Sequence, residues 1–169
     1  MAFAASADDA GRFDIRMVAP SGDVLLTPET QTGQDSAPAP EQLLIVAGGQ
    51  GPIAMLAAGA PSRRLDGNGA LGSVDSDGRM LALSGRGPAG QPVRISLNGR
   101  PAAMPTADAA GRWTAVVGPS DATRIGVGEA AFDYPGAVEV GSGASRAGSG
   151  WRIGWSIPAG GRQTTWLPD

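Results

Sequence analysis

Glu129, Asp133 and Glu139 bracket Tyr134, and carboxyl groups gathered in this way can act as the acid–base pair of a glycosidase. No apolar pocket pattern or cluster of aromatic residues accompanies them, so they are expected as solvated charges on strand ends and loops. The chain has no histidine and no cysteine, and all 13 basic residues are arginine. That composition removes His-based triads, thiolate nucleophiles, Schiff bases, and zinc or copper sites with nitrogen or sulfur ligands. A Ser-His-Asp hydrolase cannot be built from this chain alone. The expectation is a protein that is not an enzyme, with no catalytic residue, cofactor or metal site of its own.

Two more motifs call for weighing. Gly67-Asn68-Gly69-Ala70-Leu71-Gly72 matches the G-x-G-x-x-G pattern. That pattern binds a pyrophosphate only where a helix N-terminus follows, and strand and turn patterns follow here, so the match is taken as chance. Asp75-Ser76-Asp77-Gly78, with Asp66 and Asn68 nearby, offers oxygen ligands for Ca²⁺, but the bidentate Glu that completes an EF-hand loop is missing. Asx-Gly turns account for the same residues without metal.

The tryptophans are the remaining candidates, as partner-binding aromatics. Trp113 opens an alternating strand after a turn and is expected in the core. Trp151 and Trp155 lie on one face of a terminal hairpin with Ile153 and Ile157. That face is either core, which the isoleucines favour, or a flat aromatic patch for a partner or glycan. Trp166 points opposite to Leu167 and is expected to be exposed.

These side chains must be positioned by strands. Val93, Ile95 and Leu97 alternate with Arg94 and Ser96, the period of a strand with one buried face. Asn98-Gly99 follows at once and predicts a type I′ hairpin turn. Asp108-Ala109-Ala110-Gly111 marks a second turn. Further strand patterns run over 13–18, 23–27, 43–47, 52–57, 70–74, 79–84 and 114–117, then 123–132 as one long alternation, and finally 151–157 and 163–167. Residues 28–42 lack apolar periodicity and read as a Pro-rich linker, and 141–150 as a low-complexity loop. A turn is expected at 158–161. No stretch keeps a helical period, so the fold class is all-β.

Composition agrees. The chain has 169 residues, enough for one fair-sized domain or two small ones, and holds 27 glycines and 14 prolines, the punctuation of many short strands. A net charge of −3 recommends no nucleic-acid partner. The longest apolar stretch, 43–60, is broken by four glycines and a proline, so no membrane span is expected. Ala5-Ser6-Ala7 before Asp8-Asp9 has the A-x-A form of a signal-peptide cleavage site, and residues 1–12 are read as a disordered tail or signal remnant.

The runs Leu83-Ser84-Gly85-Arg86-Gly87-Pro88, Val93 to Arg100 and Thr106-Ala107-Asp108-Ala109-Ala110-Gly111-Arg112-Trp113, preceded by Leu71 to Leu83, resemble bacterial immunoglobulin-like domains. More narrowly, they are similar to those attached to LysM peptidoglycan-binding modules in alphaproteobacterial envelope proteins. The resemblance covers residues 70–117 and extends more faintly over 13–25. It implies an Ig-like β-sandwich, export to the periplasm or cell surface, and a binding or spacer role. No LysM segment is recognisable, so peptidoglycan binding does not carry over. The expected organisation is a β-rich segment over 13–66, containing the linker, and an Ig-like sandwich over 67–169. The expected partner is another envelope protein, with a cell-wall glycan or assembly into a surface layer or phage particle as alternatives.

Overall fold

The computed structural model describes residues 3–18, 20–118, 121–137, 143–157 and 161–169. It is an all-β sandwich with no α-helix among those residues. In chain order the strands are β1 (Val24–Leu26), β2 (Glu29–Thr32), β3 (Asp35–Pro38), β4 (Glu41–Ile45), β5 (Ile53–Ala57), β6 (Arg63–Arg64), β7 (Ser73–Ser76) and β8 (Leu81–Arg86). They continue with β9 (Ile95–Leu97), β10 (Arg100–Ala103), β11 (Arg112–Val117), β12 (Arg124–Val127), β13 (Ala130–Asp133), β14 (Gly143–Arg146), β15 (Gly150–Ser156) and β16 (Arg162–Pro168).

A six-stranded antiparallel sheet, β11-β8-β7-β16-β15-β14, lies at the centre. Successive side chains on a strand point to opposite faces, and here each face packs against a further sheet, one of them left open over part of β8 and β11. On one face Val74, Leu81, Leu83, Trp113, Val117 and Trp166 pack with Val93, Ile95, Ile125 and Val127, which belong to the sheet β10-β9-β12-β13 and the segment leading into it. On the other, Ile153, Trp155 and Leu167 pack with Leu44, Val46, Ala54 and Leu56 from the sheet β1-β4-β5-β6. The N-terminal strands therefore share a core with the C-terminal hairpin. Each large apolar side chain so buried contributes about 1.5–3 kcal/mol.

The turns follow their residues. Asn98 and Gly99 take φ of 49° and 78°, the two positive values of a type I′ turn, and join β9 to β10. The Asn98 side-chain oxygen also accepts the Thr123 and Arg124 backbone N–H groups at 3.0 and 3.1 Å, tying that turn to β12.

Several expectations need correction. Residues 28–42 are no linker. β2 and β3 form a hairpin around Gly33, whose φ of 65° supplies the positive angle its two-residue turn needs, and β4 begins at Glu41. All eight hairpin residues are exposed, so periodicity had no buried face to record. The alternation over 123–132 is two strands, folded at Gly128 (φ 61°). Part of the low-complexity stretch is β14, paired with β15 from Gly143 to Arg146, because small residues suit a sheet edge laid against Trp151 and Ile153. Residues 13–18 keep a strand's alternation but pair with nothing among the described residues. Most of the turn expected at 158–161 lies outside the described residues.

Candidate functional site

The deepest polar feature is a buried cluster around Asp75, which is 2% exposed. Asp75 sits on β7 opposite Thr165 of β16, on the face that meets the N-terminal sheet. Its Oδ1 accepts Ser62 Oγ at 2.6 Å, Thr165 Oγ1 at 2.5 Å and Gln163 Nε2 at 3.1 Å, and its Oδ2 accepts the Ser62 backbone N–H at 2.5 Å. Around this carboxylate, Trp155 Nε1 donates to Thr165 Oγ1 at 3.1 Å. Gln163 donates to the Ala57 carbonyl and accepts the Gly59 N–H. The Ser73 and Ser84 hydroxyls both donate to the Ser62 carbonyl at 2.6 Å. The cluster thus pins the segment between β5 and β6 onto the central sheet.

Burial pushes the Asp75 carboxyl up to about 6, outweighing the hydrogen bonds from Ser62, Thr165 and Gln163 that favour its ionised form. The hydrogen bonds that reach Asp75 among the described residues all come from neutral groups. Ser62 and Asp75 have the composition of a reactive dyad, yet Ser62 is 0% exposed. A nucleophile must touch its substrate, and this hydroxyl is closed in by protein.

Above the cluster, a groove of about 450 Å³ opens between the edge strand β6 and the uncovered part of the β8–β11 face. Arg63, Arg64, Arg86 and Arg112 line it with Glu41 and Asp108. Most of these cations are engaged. Arg64 binds Asp66 at 3.0 Å and the Pro168 carbonyl, Arg86 donates to the Ala110 carbonyl at 3.1 Å, and Arg112 binds Asp108 at 3.0 Å. Burial works to raise Asp66, but the Arg64 guanidinium and the Ile53 N–H hold its carboxyl below the usual range. The Arg112 N–H does the same for Asp108. Arg63 is exposed on the rim.

The residues singled out from sequence are not brought together. Glu129 is exposed in the β12–β13 turn, Asp133 is exposed and paired with Arg124 at 3.1 Å, and Glu139 lies outside the described residues. Tyr134 is buried edge-on against Trp166 at 5.6 Å between ring centroids, and burial pushes its hydroxyl up to about 12. The would-be calcium ligands also part company. Asp75 points inward, Asp77 accepts the Arg79 and Met80 N–H groups at 2.8 and 2.9 Å, and Asp66 holds Arg64. Strand β7, not a helix, follows Gly72.

The aromatic expectation fails at Trp166. It is 0% exposed and donates to the Ala147 carbonyl at 2.9 Å, because a second sheet covers the face opposite Leu167 as well. Trp155 is 3% exposed, while Trp151 is half-buried with the Arg146 guanidinium 5.2 Å from its ring centre. Trp113 is buried as expected. Sequence reasoning missed the Asp75 cluster because Asp75-Ser76-Asp77-Gly78 reads as one turn. The available signal was the alternation of Ser73 and Asp75 around Val74, and of Gln163 and Thr165 around Thr164, polar residues at inward strand positions.

Among the sheet edges, β11 is the one that borders the groove over the β8–β11 face. It pairs only with β8, and no further backbone hydrogen bond involves residues 113–117 on its outer side among the described residues. Its Arg112, Thr114 and Val116 side chains face solvent beside the groove. No protein-family model, curated protein or solved structure matches this chain.

Proposed function

We propose that this chain is a non-catalytic Ig-like module that makes protein–protein contacts, as a binding or spacer unit, in a bacterial cell envelope. The observation that carries the reading is β11: a free sheet edge with Val116 59% exposed beside it. Unpaired N–H and C=O groups on such an edge can accept an added strand, and flanking side-chain positions give selectivity. Arg63 and Arg86, which have no carboxylate partner among the described residues, line the groove beside the same edge and favour a partner carrying acidic groups. The exported setting rests on the resemblance of residues 70–117 to bacterial immunoglobulin-like domains.

The buried tryptophans weigh against the carbohydrate alternative, which needs an exposed aromatic platform. The absence of His, Cys and Lys, with Asp75 and Tyr134 both enclosed, supports a role without turnover. The test places a photo-crosslinking residue at position 116 in the bacterium that makes the protein, with a matched control at exposed Ala102 on β10. Protein adducts at 116 above those at 102, with no pelleting on purified peptidoglycan, are the expected result. Equal adducts at both positions, or pelleting with peptidoglycan, would overturn the reading.

A further inference from the structure

Residues 7–13 repeat residues 107–113: Ala7-Asp8-Asp9-Ala10-Gly11-Arg12-Phe13 stands against Ala107-Asp108-Ala109-Ala110-Gly111-Arg112-Trp113. The geometry repeats as well. Asp8 Oδ1 accepts the Ala10 and Arg12 N–H groups at 2.9 and 2.8 Å, and Asp108 Oδ1 accepts those of Ala110 and Arg112 at 2.8 and 2.8 Å. Gly11 and Gly111 share a φ of 73°. After the second turn the chain becomes strand β11. After the first it runs on with the same alternation but with no strand partner among the described residues; Phe13 is 65%, Ile15 41% and Val18 88% exposed, and Met17 is half-buried. The segment after Arg12 therefore has the pattern of a strand without a sheet among the described residues.

Its own sequence specifies a partner. Laid antiparallel on itself about Ile15, the segment sets Phe13 opposite Met17, Ile15 opposite Ile15, and Asp14 opposite Arg16 on both sides of the two-fold axis. Phe13, Ile15 and Met17 then share one face, while Val18 falls on the other, opposite Arg12. Asp14 and Arg16, already in contact with each other at 3.4 Å, share the other. Shifting the axis by one residue to Asp14 or Arg16 sets like charges opposite each other, and a parallel in-register pair does the same. Of these arrangements the Ile15-centred one pairs opposite charges, and an axis at Phe13 would need the turn residues 8–12 to be strand; a two-fold interface of this kind is self-complementary.

We propose that residues 12–18 pair antiparallel with the same residues of a second copy of this chain, forming a two-fold ribbon centred on Ile15. The site is separate from the β11 edge and does not depend on the partner inferred there. Two-stranded ribbons are marginal in water and the contact is small, so the dimer is weak and forms at high concentration.

The absence of cysteine makes the test clean. In an antiparallel pair, opposed Cα atoms lie within disulfide range. Ile15→Cys should oxidise to a covalent dimer several-fold faster than Gln34→Cys, placed at the exposed β2–β3 turn. Sedimentation equilibrium of the unmodified chain should show mass rising toward twice the monomer with concentration. Asp14→Arg should abolish that rise, and Asp14→Arg with Arg16→Asp should restore it, with unchanged far-UV circular dichroism throughout. A monomeric mass at all concentrations, equal oxidation at positions 15 and 34, or failure of the double exchange to restore association would each overturn the proposal.

Discussion

Mild acid should stabilise this protein. Asp75 titrates at about 6 in the fold against 3.8 for a free aspartate, so the folded state binds its proton more tightly than the unfolded chain. The unfolded state then holds fewer protons between those values, and stability falls as pH rises through the window. A shift of this size is worth about 3 kcal/mol in full, present below the unfolded value and lost above about 6. Between about pH 7.5 and pH 4.5 the linkage relation gives a gain of about 2 kcal/mol, since the unfolded group itself begins to protonate at the lower end. Asp66, Asp77 and Asp108 are lowered in the fold and act the other way. Their contribution is present above the unfolded value and is surrendered only as pH falls below it, so it barely intrudes by about pH 4.5. Urea unfolding followed by tryptophan fluorescence should show the midpoint rising from neutral to mildly acidic pH, then falling at stronger acid. Asp75→Asn should flatten the rise. Its amide keeps an oxygen for Ser62 Oγ, Thr165 and Gln163 but sets an NH₂ group against the Ser62 N–H, so one hydrogen bond is lost while the buried charge disappears. A wild-type midpoint that falls steadily from neutral to mildly acidic pH, or an Asn variant with an unchanged pH slope, would refute the argument.

Three other outcomes follow from the packing. Trp113→Ala empties a 2% exposed site in the larger core and should cost about 3–5 kcal/mol in urea unfolding, whereas a nearly unchanged midpoint would contradict the burial. Gly85→Ala should cost more than about 2 kcal/mol, because the added Cβ would lie 1.9 Å from the Ala70 carbonyl oxygen and 2.7 Å from the Trp113 ring. Gly22→Ala, with open space around it, should stay within about 0.5 kcal/mol of wild type. Acrylamide quenching of fluorescence should come mainly from half-buried Trp151, so Trp151→Phe should remove most of the quenchable signal. Strong residual quenching would mean that Trp155 or Trp166 is open to solvent.

The strands were legible where one face is buried and a turn residue stands at each end. Val93 to Gly99 is the clear case, since alternation and the Asn98-Gly99 pair each point to the same hairpin. Legibility failed where the physics leaves no period. β2 and β3 are exposed throughout, and β14 is made of small residues at an edge. Trp166 failed for the opposite reason. Alternation tells which side chains share a face, but not whether the second face is also roofed, and the roof over Trp166 comes from strands far away in sequence. The Asp75 cluster needed the same long-range knowledge, because Ser62, Asp75, Gln163 and Thr165 meet only once two sheets are stacked. The repeat of residues 107–113 at 7–13 is present in the sequence itself, but the first copy adjoins Ala5-Ser6-Ala7, whose signal-peptide form makes residues 1–12 read as a tail rather than a turn.

Strand β16 comes last in chain order yet lies in the middle of the central sheet, between β7 and β15, with Trp166 in one core and Leu167 in the other. Vectorial synthesis therefore delivers this keystone after every strand it has to join. Until these residues are out, β7 pairs only with β8 and β15 only with β14, and both cores stand open. Loop closure over such distances is slow, and half-built sheets expose sticky edges. The central sheet therefore closes only once all of its strands have been made, whatever the order in which they form locally.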